Sequence, residues 1–424
     1  MNSHNDAFAT LQERGFVKQC TDEPSLKALL GSEKISFYCG FDPTGPSLHL
    51  GHLVPVFAMA HLARDGHKPI ALVGGGTARI GDPSGKSEMR KMLSVEQIME
   101  NASSLERQLQ SFLERAGALT GTTMVNNADW LAGLNYIEFL RDIGKHFSVN
   151  RMLSFEMYKM RMETGLSFIE FNYQLLQSYD YYVLNRDRDC RLQIGGDDQW
   201  GNIVAGADLI RRINGEGTAE QVFGLTFPLI TRSDGKKMGK TEKGSLFLDP
   251  EMTSPLDIFQ YWRNIPDADV GKFLRIFTFL PLGEIIELEA LKDAEINRAK
   301  ERLAHEFVTL VHGKTVADEC LAAARAAFTG NTGGLESAPT LEISANDAKA
   351  GLVLVELLVQ TGLVPSKGEA RRLVQQGGIS LGNLRAEDPQ LVVSTTIWEA
   401  NAESDGSLLL RAGKKRFHRL VVKK

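Results

Sequence analysis

The chain is poor in cysteine. Cys20, Cys39, Cys190 and Cys320 are its four in 424 residues, and no two lie close together. Isolated thiols build neither a disulfide framework nor a zinc knuckle, so a reducing cytoplasm is the expected setting and no protein-bound metal is expected. No apolar run reaches the ~18 residues that mark a membrane span, so no membrane partner is expected. The opening residues, Met1-Asn2-Ser3-His4-Asn5-Asp6, lack a basic patch followed by an apolar stretch. A secretory signal is therefore not expected, and the same residues are too acidic and arginine-poor for a typical organelle transit peptide. Internal repeats and low-complexity tracts are missing too. A net charge of −5 excludes a surface that is basic everywhere, while leaving room for a local basic patch.

What is present is an ordinary globular composition, with 43% hydrophobic and 24% charged residues. The length is enough for two or three domains around a large core. Charge is unevenly placed. Residues 411–424 carry Arg411, Lys414, Lys415, Arg416, Arg419, Lys423 and Lys424 without one Asp or Glu. A basic end on an acidic body fits a nucleic-acid partner.

Ile35 to Phe41 is rich in β-branched and aromatic residues and reads as a buried strand. A Pro/Gly/Ser loop follows, then an apolar helix from Leu53 to Arg64, then a strand from Pro69 to Val73 stopped by Gly74-Gly75-Gly76. Strand, helix and strand in so short a span make a βαβ unit and hence a parallel sheet. Ligands in such sheets sit at the carboxyl ends of the strands, here Tyr38 to Thr44 and Gly74 to Asp82. Residues 88–115 read as an amphipathic helix and 132–190 as several more. Arg191 to Gln199 reads as a strand ending in a polar loop, and 254–328 as helical. Thr329 to Gly334 is a breaker cluster that marks a linker. Beyond it, Leu352 to Val359 reads as an apolar helix. Ser366 and Glu369 form a capping box for a helix carrying Arg371 and Arg372. Ile379-Ser380-Leu381, Gly382-Asn383 and Leu384-Arg385 read as a hairpin with a two-residue turn.

Two short segments carry the chemistry. One is Pro43-Thr44-Gly45-Pro46-Ser47-Leu48-His49-Leu50-Gly51-His52 and the other Lys237-Met238-Gly239-Lys240-Thr241. A helix start offers unpaired N–H groups to an anion, and imidazoles there donate to phosphate oxygens as charge builds on them. Alone, His49 and His52 read as polar residues capping a helix, and Lys237 and Lys240 as a solvated basic turn. Behind a strand and Pro43-Thr44, and taken together, they read as two elements handling one nucleotide. Gly81-Asp82-Pro83-Ser84-Gly85-Lys86 has only three residues between its glycines, so it is no Walker loop.

The two segments resemble the HIGH and KMSKS motifs of class I aminoacyl-tRNA synthetases. With Tyr38 to Thr44, Ile80 to Ser84, Phe139 to Phe147, Gln174 to Asp180 and Gln193 to Gly196, nearly the whole chain resembles the bacterial-type tyrosyl-tRNA synthetases. The resemblance implies an α/β fold: a Rossmann-like parallel-sheet catalytic domain over 1–223 with a helical insertion at about 126–161. It further implies an α-helical domain with the lysine loop over 224–328, a linker at 329–347 and a small α+β S4-like RNA-binding domain over 348–424. It implies L-tyrosine, ATP and tRNA(Tyr) as substrates, Mg²⁺ carried by the ATP phosphates, and a homodimer formed through the Asn126–Arg161 region.

By the same resemblance Tyr38 and Asp180 meet the substrate phenol, Asp82, Tyr173 and Gln177 its ammonium, and Gln199 its carboxylate. Cys39, His52 and Asp198 lie near the ribose, and Thr44 and His49 near the γ-phosphate. Lys86, Arg90, Lys237, Lys240 and Thr241 surround pyrophosphate, while Arg371, Arg372, Lys414, Lys415 and Arg416 bind tRNA. Two positions depart from the pattern. Asp197 stands where relatives often have Ser, and Gly239 and Thr241 replace the two serines of the lysine motif. A tryptophanyl enzyme and a small-molecule nucleotidyltransferase of the same superfamily remain as alternatives.

Overall fold

The structure is a computed structural model. It describes residues 6–84, 92–215, 221–235, 238–241, 244–329, 339–382, 384–402, 406–413 and 416–423. The chain forms two compact units, Met1–Asp318 and Glu319–Lys424.

The first unit is built on a six-stranded sheet: β1 (Gln19–Cys20), β2 (Ser36–Phe41), β3 (Lys68–Val73), β4 (Thr123–Asn126), β5 (Cys190–Gly196) and β6 (Phe223–Phe227). Their spatial order is β1-β6-β5-β2-β3-β4. All neighbours run parallel except β1, which pairs antiparallel with β6 at one edge. From β2 the chain winds outward through β3 and β4, then returns to place β5 and β6 on the other side. The order therefore reverses between β2 and β5, where Tyr38 lies opposite Ile70 on β3 and Gln193 on β5. A crevice at the strands' carboxyl ends opens at such a reversal.

Helix α1 (Leu53–Arg64) is buried almost all round, with Val54, Val56, Phe57, Ala58, Met59 and Leu62 inside. That is what a helix held between a sheet and a second layer requires. Its Phe57 ring stands 5.0 Å from Phe112 on α2 (Val95–Arg115), 5.7 Å from Phe277 and 6.5 Å from Phe307. Trp262 then packs 4.9 Å from Phe307. This aromatic cluster fastens the helices after residue 254 to the sheet part within one compact unit. Helix α2 begins at Val95, where Ser94 and Gln97 form a capping box. Helices α3 (Phe168–Arg188) and α4 (Trp200–Asn214) flank β5, and α3 opens on a second capping box, Ser167 with Glu170. That Glu170 also takes both forks of buried Arg161, at 3.1 Å each.

The second unit carries its own core, with Leu354, Leu357, Leu358, Ala370, Val374, Leu381, Leu408 and Leu420 among its buried residues. Its helix α5 is Leu354–Gln360, because Leu352–Val353 pair antiparallel with Val392–Val393 rather than continuing the apolar helix expected from Leu352. Helix α6 (Lys367–Gln375) follows, its Glu369 N–H bonded to Ser366 Oγ. The hairpin forms with Leu381 opposite Leu384 and its second arm ending at Ala386. Residues Thr340–Ser344, inside the stretch read as linker, form a strand parallel to Arg416–Lys423. The basic end is thus itself a sheet strand, from Arg416 to Lys423.

His67, between α1 and β3, accepts the Ile35 N–H at Nδ1, and burial pushes its pKa down to about 4. The unfolded chain, with His near 6.5, binds more protons between those values, so acidification through that window lowers stability. His67→Gln should remove part of the loss of thermal stability between about pH 6.5 and 4.5, read by calorimetry at several pH values.

Candidate active site

A cavity of about 560 Å³ opens at the reversal point, with room for an amino acid and much of a nucleotide. Tyr38, Cys39, Thr44, His49, His52, Asp82, Tyr173, Gln177, Asp180, Asp198 and Gln199 all line it, together with Met238. Lys86, Arg90 and Lys237 lie outside the described residues. Lys240 and Thr241 are described as a two-residue strand paired with Gly244–Ser245.

Tyr38 stands midway along β2, fully buried, and its hydroxyl has no hydrogen-bond partner among the described residues. Tyr173, Gln177 and Asp180 fall at i, i+4 and i+7 on α3, which puts them on one face. Asp180 accepts from Asn127 Nδ2 at 2.9 Å and Trp130 Nε1 at 2.7 Å. Burial outweighs both donors and pushes its carboxyl up to about 8. Such a group donates when protonated and accepts when ionised, and a phenol can match either state.

A relay of polar groups runs from Asp180 across the floor. Asn127 Nδ2 also donates to Thr77 Oγ1 at 3.0 Å, Thr77 donates to Asp42 Oδ1 at 2.7 Å, and Tyr173 donates to Asp42 Oδ2 at 2.9 Å. Sequence reasoning does not single out Asp42, Asn127 or Trp130. For Asp42 the available signal is its place one residue past the end of β2, inside the segment Tyr38 to Thr44. Gly74 makes the relay possible, since a Cβ there would lie within van der Waals overlap, 1.9 Å from Asp42 Oδ1.

On the other wall Asp82 accepts from Ser84 N at 2.9 Å and Gln199 Nε2 at 2.8 Å, and Asn202 Nδ2 donates to Gln199 Oε1 at 3.1 Å. Burial raises the Asp82 carboxyl, with Asp42 adding to the shift, and burial with Asp82 raises that of Asp198. Asp42 and Asp180 line the same cavity, where a bound cation would favour the ionised forms of all four carboxyl groups. Asp197 is not part of this group. Its Oδ1 accepts from Gln19 Nε2 at 2.7 Å and Thr226 Oγ1 at 2.9 Å, tying β1 and β6 to the turn that carries Asp198 and Gln199.

At the cavity mouth Leu50–His52 form a single 3₁₀ turn ahead of α1. His49 Nδ1 accepts from Gly51 N at 3.1 Å and His52 Nδ1 from His49 N at 3.3 Å, with the rings stacked 3.7 Å apart. With Nδ1 accepting in each ring, Nε2 carries the proton and is the donor a phosphate oxygen needs. A Cβ at Gly51 would come within 2.9 Å of His49 Cε1, which explains glycine at the third place of His-x-Gly-His.

Residues 246–248, just after the lysine segment in sequence, pair with the backbone of this turn. Leu248 N donates to Leu48 O at 2.8 Å and Leu50 N to Leu246 O at 3.2 Å, while His49 bridges Phe247. Gly239, at φ +72°, leans on Leu50, whose Cβ would stand 2.8 Å from a Cβ at 239. In the second unit Arg371 and Arg372 are exposed on α6, and Arg416 donates to Leu363 O at 2.7 Å. Lys414 and Lys415 lie outside the described residues.

A parallel sheet reversing beside a His-x-Gly-His turn that meets a glycine-containing lysine segment defines a class I aminoacyl-tRNA synthetase. Residues 31–329 match the family model "tRNA synthetases class I (W and Y)", and 332–420 match "Tyrosine--tRNA ligase SYY-like C-terminal domain". The chain is 54% identical to the tyrosine–tRNA ligase of Treponema denticola over 98% of its own length and 99% of that protein. It is 52% identical to one from Clostridium botulinum over 99% and 100%. A C-terminally truncated mitochondrial tyrosyl-tRNA synthetase from Aspergillus nidulans superposes with a TM-score of 0.68 at 31% identity, covering 76% of this chain and 94% of that one. The chain belongs to the tyrosine–tRNA ligase family, and the tryptophanyl and small-molecule alternatives fall away.

Trp130→Phe removes one of two donors that favour ionised Asp180. The Asp180 pKa should then rise above about 8, followed as the carboxyl carbon shift in a pH titration by NMR.

Proposed function

We propose that this chain activates L-tyrosine with ATP, forming tyrosyl-adenylate and pyrophosphate, and then transfers the tyrosyl group to the 3′ end of tRNA(Tyr). The observation that carries the reading is the buried Tyr38 hydroxyl, without a partner among the described residues, in the same cavity as Asp180. A substrate phenol completes both groups. Phenylalanine would leave them unpaired in a dry site, at a cost of about 1–3 kcal/mol for each neutral group and more for a charged one. Rejection of phenylalanine by tyrosyl-tRNA synthetases is itself the standard illustration of this effect.

Asp82, Tyr173 and Gln177 take the substrate ammonium, with Asp42 behind Tyr173 holding its hydroxyl, and Gln199 takes the carboxylate side. That carboxylate, already ionised, attacks the α-phosphorus of ATP in line. The α–β phosphoanhydride bond breaks and pyrophosphate leaves with its electron pair. No side chain need act as nucleophile or base, so the residues contribute position and charge. Cys39, His52 and Asp198 hold the ribose. Thr44 and His49 meet the γ-phosphate, and Lys86, Arg90, Lys237, Lys240 and Thr241 receive the charge growing on pyrophosphate. Mg²⁺ arrives on the ATP phosphates as part of that substrate. In the second step a terminal ribose hydroxyl of tRNA attacks the activated carbonyl, loses its proton and expels AMP.

The working division is a catalytic part over 1–223 with its insertion at about 126–161, the lysine loop and helical part over 224–328, a linker, and an S4-like domain to residue 424. The strand Thr340–Ser344 is counted in that last domain's sheet. Its Arg371, Arg372, Lys414, Lys415 and Arg416 contact tRNA phosphates. A homodimer is supported by Tyr136, Ile137, Val149 and Phe168, large apolar side chains exposed in and near the insertion. Free cysteines throughout suit the cytoplasm.

ATP–pyrophosphate exchange should run with tyrosine and fail with tryptophan and phenylalanine. Exchange with tryptophan would overturn the phenol-reading pocket. His49→Ala should slow adenylate formation about 100-fold or more, as loss of a transition-state donor does, with tyrosine affinity unchanged. Deleting residues 330–424, which removes the whole sheet of the second unit with its strand Thr340–Ser344, should abolish transfer to tRNA while sparing exchange, and transfer should weaken steeply with salt in the intact chain.

A further inference from the structure

Gly239 lies between the two lysines of the second motif, and three contacts determine where its peptide sits. Its carbonyl accepts from Leu246 N at 2.8 Å, and its Cα leans on Leu50. Its N–H donates to the hydroxyl of Tyr261 at 2.9 Å, in a buried setting. The first two contacts use backbone or the lack of a side chain. The third alone among them is a hydrogen bond to a side chain.

Tyr261 lies on the helix Pro255–Arg263, capped by Ser254, and is 8% exposed. Next to it in the chain is Trp262, whose ring packs 5.5 Å from Phe273 and 5.1 Å from Phe277, so the helix is anchored in the aromatic cluster. Upstream, the same segment is fastened again to nearby helical elements. Ser233 N donates to the Asp269 carboxylate at 3.1 and 2.9 Å and its hydroxyl at 3.0 Å, while Lys272 Nζ donates to Thr231 O at 2.9 Å.

We propose that Tyr261 is a positioning residue for adenylate formation: its hydroxyl holds the Gly239 N–H and thereby sets the backbone next to Lys240, one of the two lysines read as acting on the departing pyrophosphate. The proposal rests on the reading that those lysines act on pyrophosphate. Lys240 is the residue directly after Gly239, so a shift at Gly239 moves it. Without the hydroxyl, a buried N–H is left with no acceptor, and the segment must move until water or another group supplies one. Phenylalanine at 261 keeps the ring and its packing and removes the oxygen alone.

The test compares the full-length chain with Tyr261→Phe and Lys240→Ala, measuring single-turnover tyrosyl-adenylate formation at saturating ATP, the Kd for L-tyrosine, and Tm. Tyr261→Phe should slow adenylate formation by about three- to ten-fold, the share one hydrogen bond commands, with tyrosine Kd and Tm unchanged. A normal rate in Tyr261→Phe beside a slow Lys240→Ala would overturn the positioning role while leaving the lysine motif in place. Normal rates in both would overturn the motif reading itself. A slow Tyr261→Phe whose tyrosine affinity or Tm also falls would mark a general structural role and likewise overturn the proposal.

Discussion

The site depends on a short backbone ladder between two distant parts of the chain. Leu248 and Leu50 donate to Leu48 and Leu246 across it, and His49 bridges Phe247 between them. Each bond is modest by itself, but together they leave the histidine turn and the lysine segment one packing distance apart. Gly239 against Leu50 then closes that distance to what only a residue without Cβ permits. Break the ladder and the two motifs are again a helix start and a basic loop, far apart in sequence. Ser47 belongs to the same device, since its hydroxyl accepts from Asp249 N at 3.1 Å.

The cavity built on this ladder concentrates acidic groups. Asp42, Asp82, Asp180 and Asp198 share it, and burial and mutual repulsion raise the carboxyl groups of Asp82, Asp180 and Asp198. Every one of Asp42, Asp82 and Asp180 nonetheless receives at least two donors from fixed groups. The arrangement keeps the acids in place while leaving a cation and a phenol as the groups that best complete them. The cavity is marked by crowded acidic groups with raised pKa values rather than by a strained backbone. His49 and His52 line the same cavity, and with Nδ1 accepting in each ring they carry their protons on Nε2, the form that donates to an anion.

Much of this is legible in the sequence because it is local. The strand ending at Phe41, the helix from Leu53 to Arg64 and the strand ending at Val73 follow from periodicity and breakers, and the structure has them at those ends. The spacing of Tyr173, Gln177 and Asp180 by four and three shows one helix face. The residues that sequence reading misses act across the fold. Asn127 and Trp130 matter because they touch Asp180, Asp42 because it touches Thr77 and Tyr173, and Tyr261 because it touches Gly239. Asp197 is the converse case, since beside Asp198 in sequence it faces Gln19 and Thr226. In the second unit an apolar run beginning at Leu352 matches a helix, yet pairing with Val392–Val393 takes its first two residues into a strand.

The sequence by itself determined the parallel-sheet class, the two short motifs and the family they resemble, since these rest on residue type, spacing and local backbone preference. Only the tertiary structure decided which carboxylates share a cavity, which donors hold them and which tyrosine steadies the lysine segment. Those are long-range contacts, whose partners lie up to 131 residues apart in the Tyr173–Asp42 pair. Burial, which sets their strength and raises their pKa values, exists only once the sheet has brought them together.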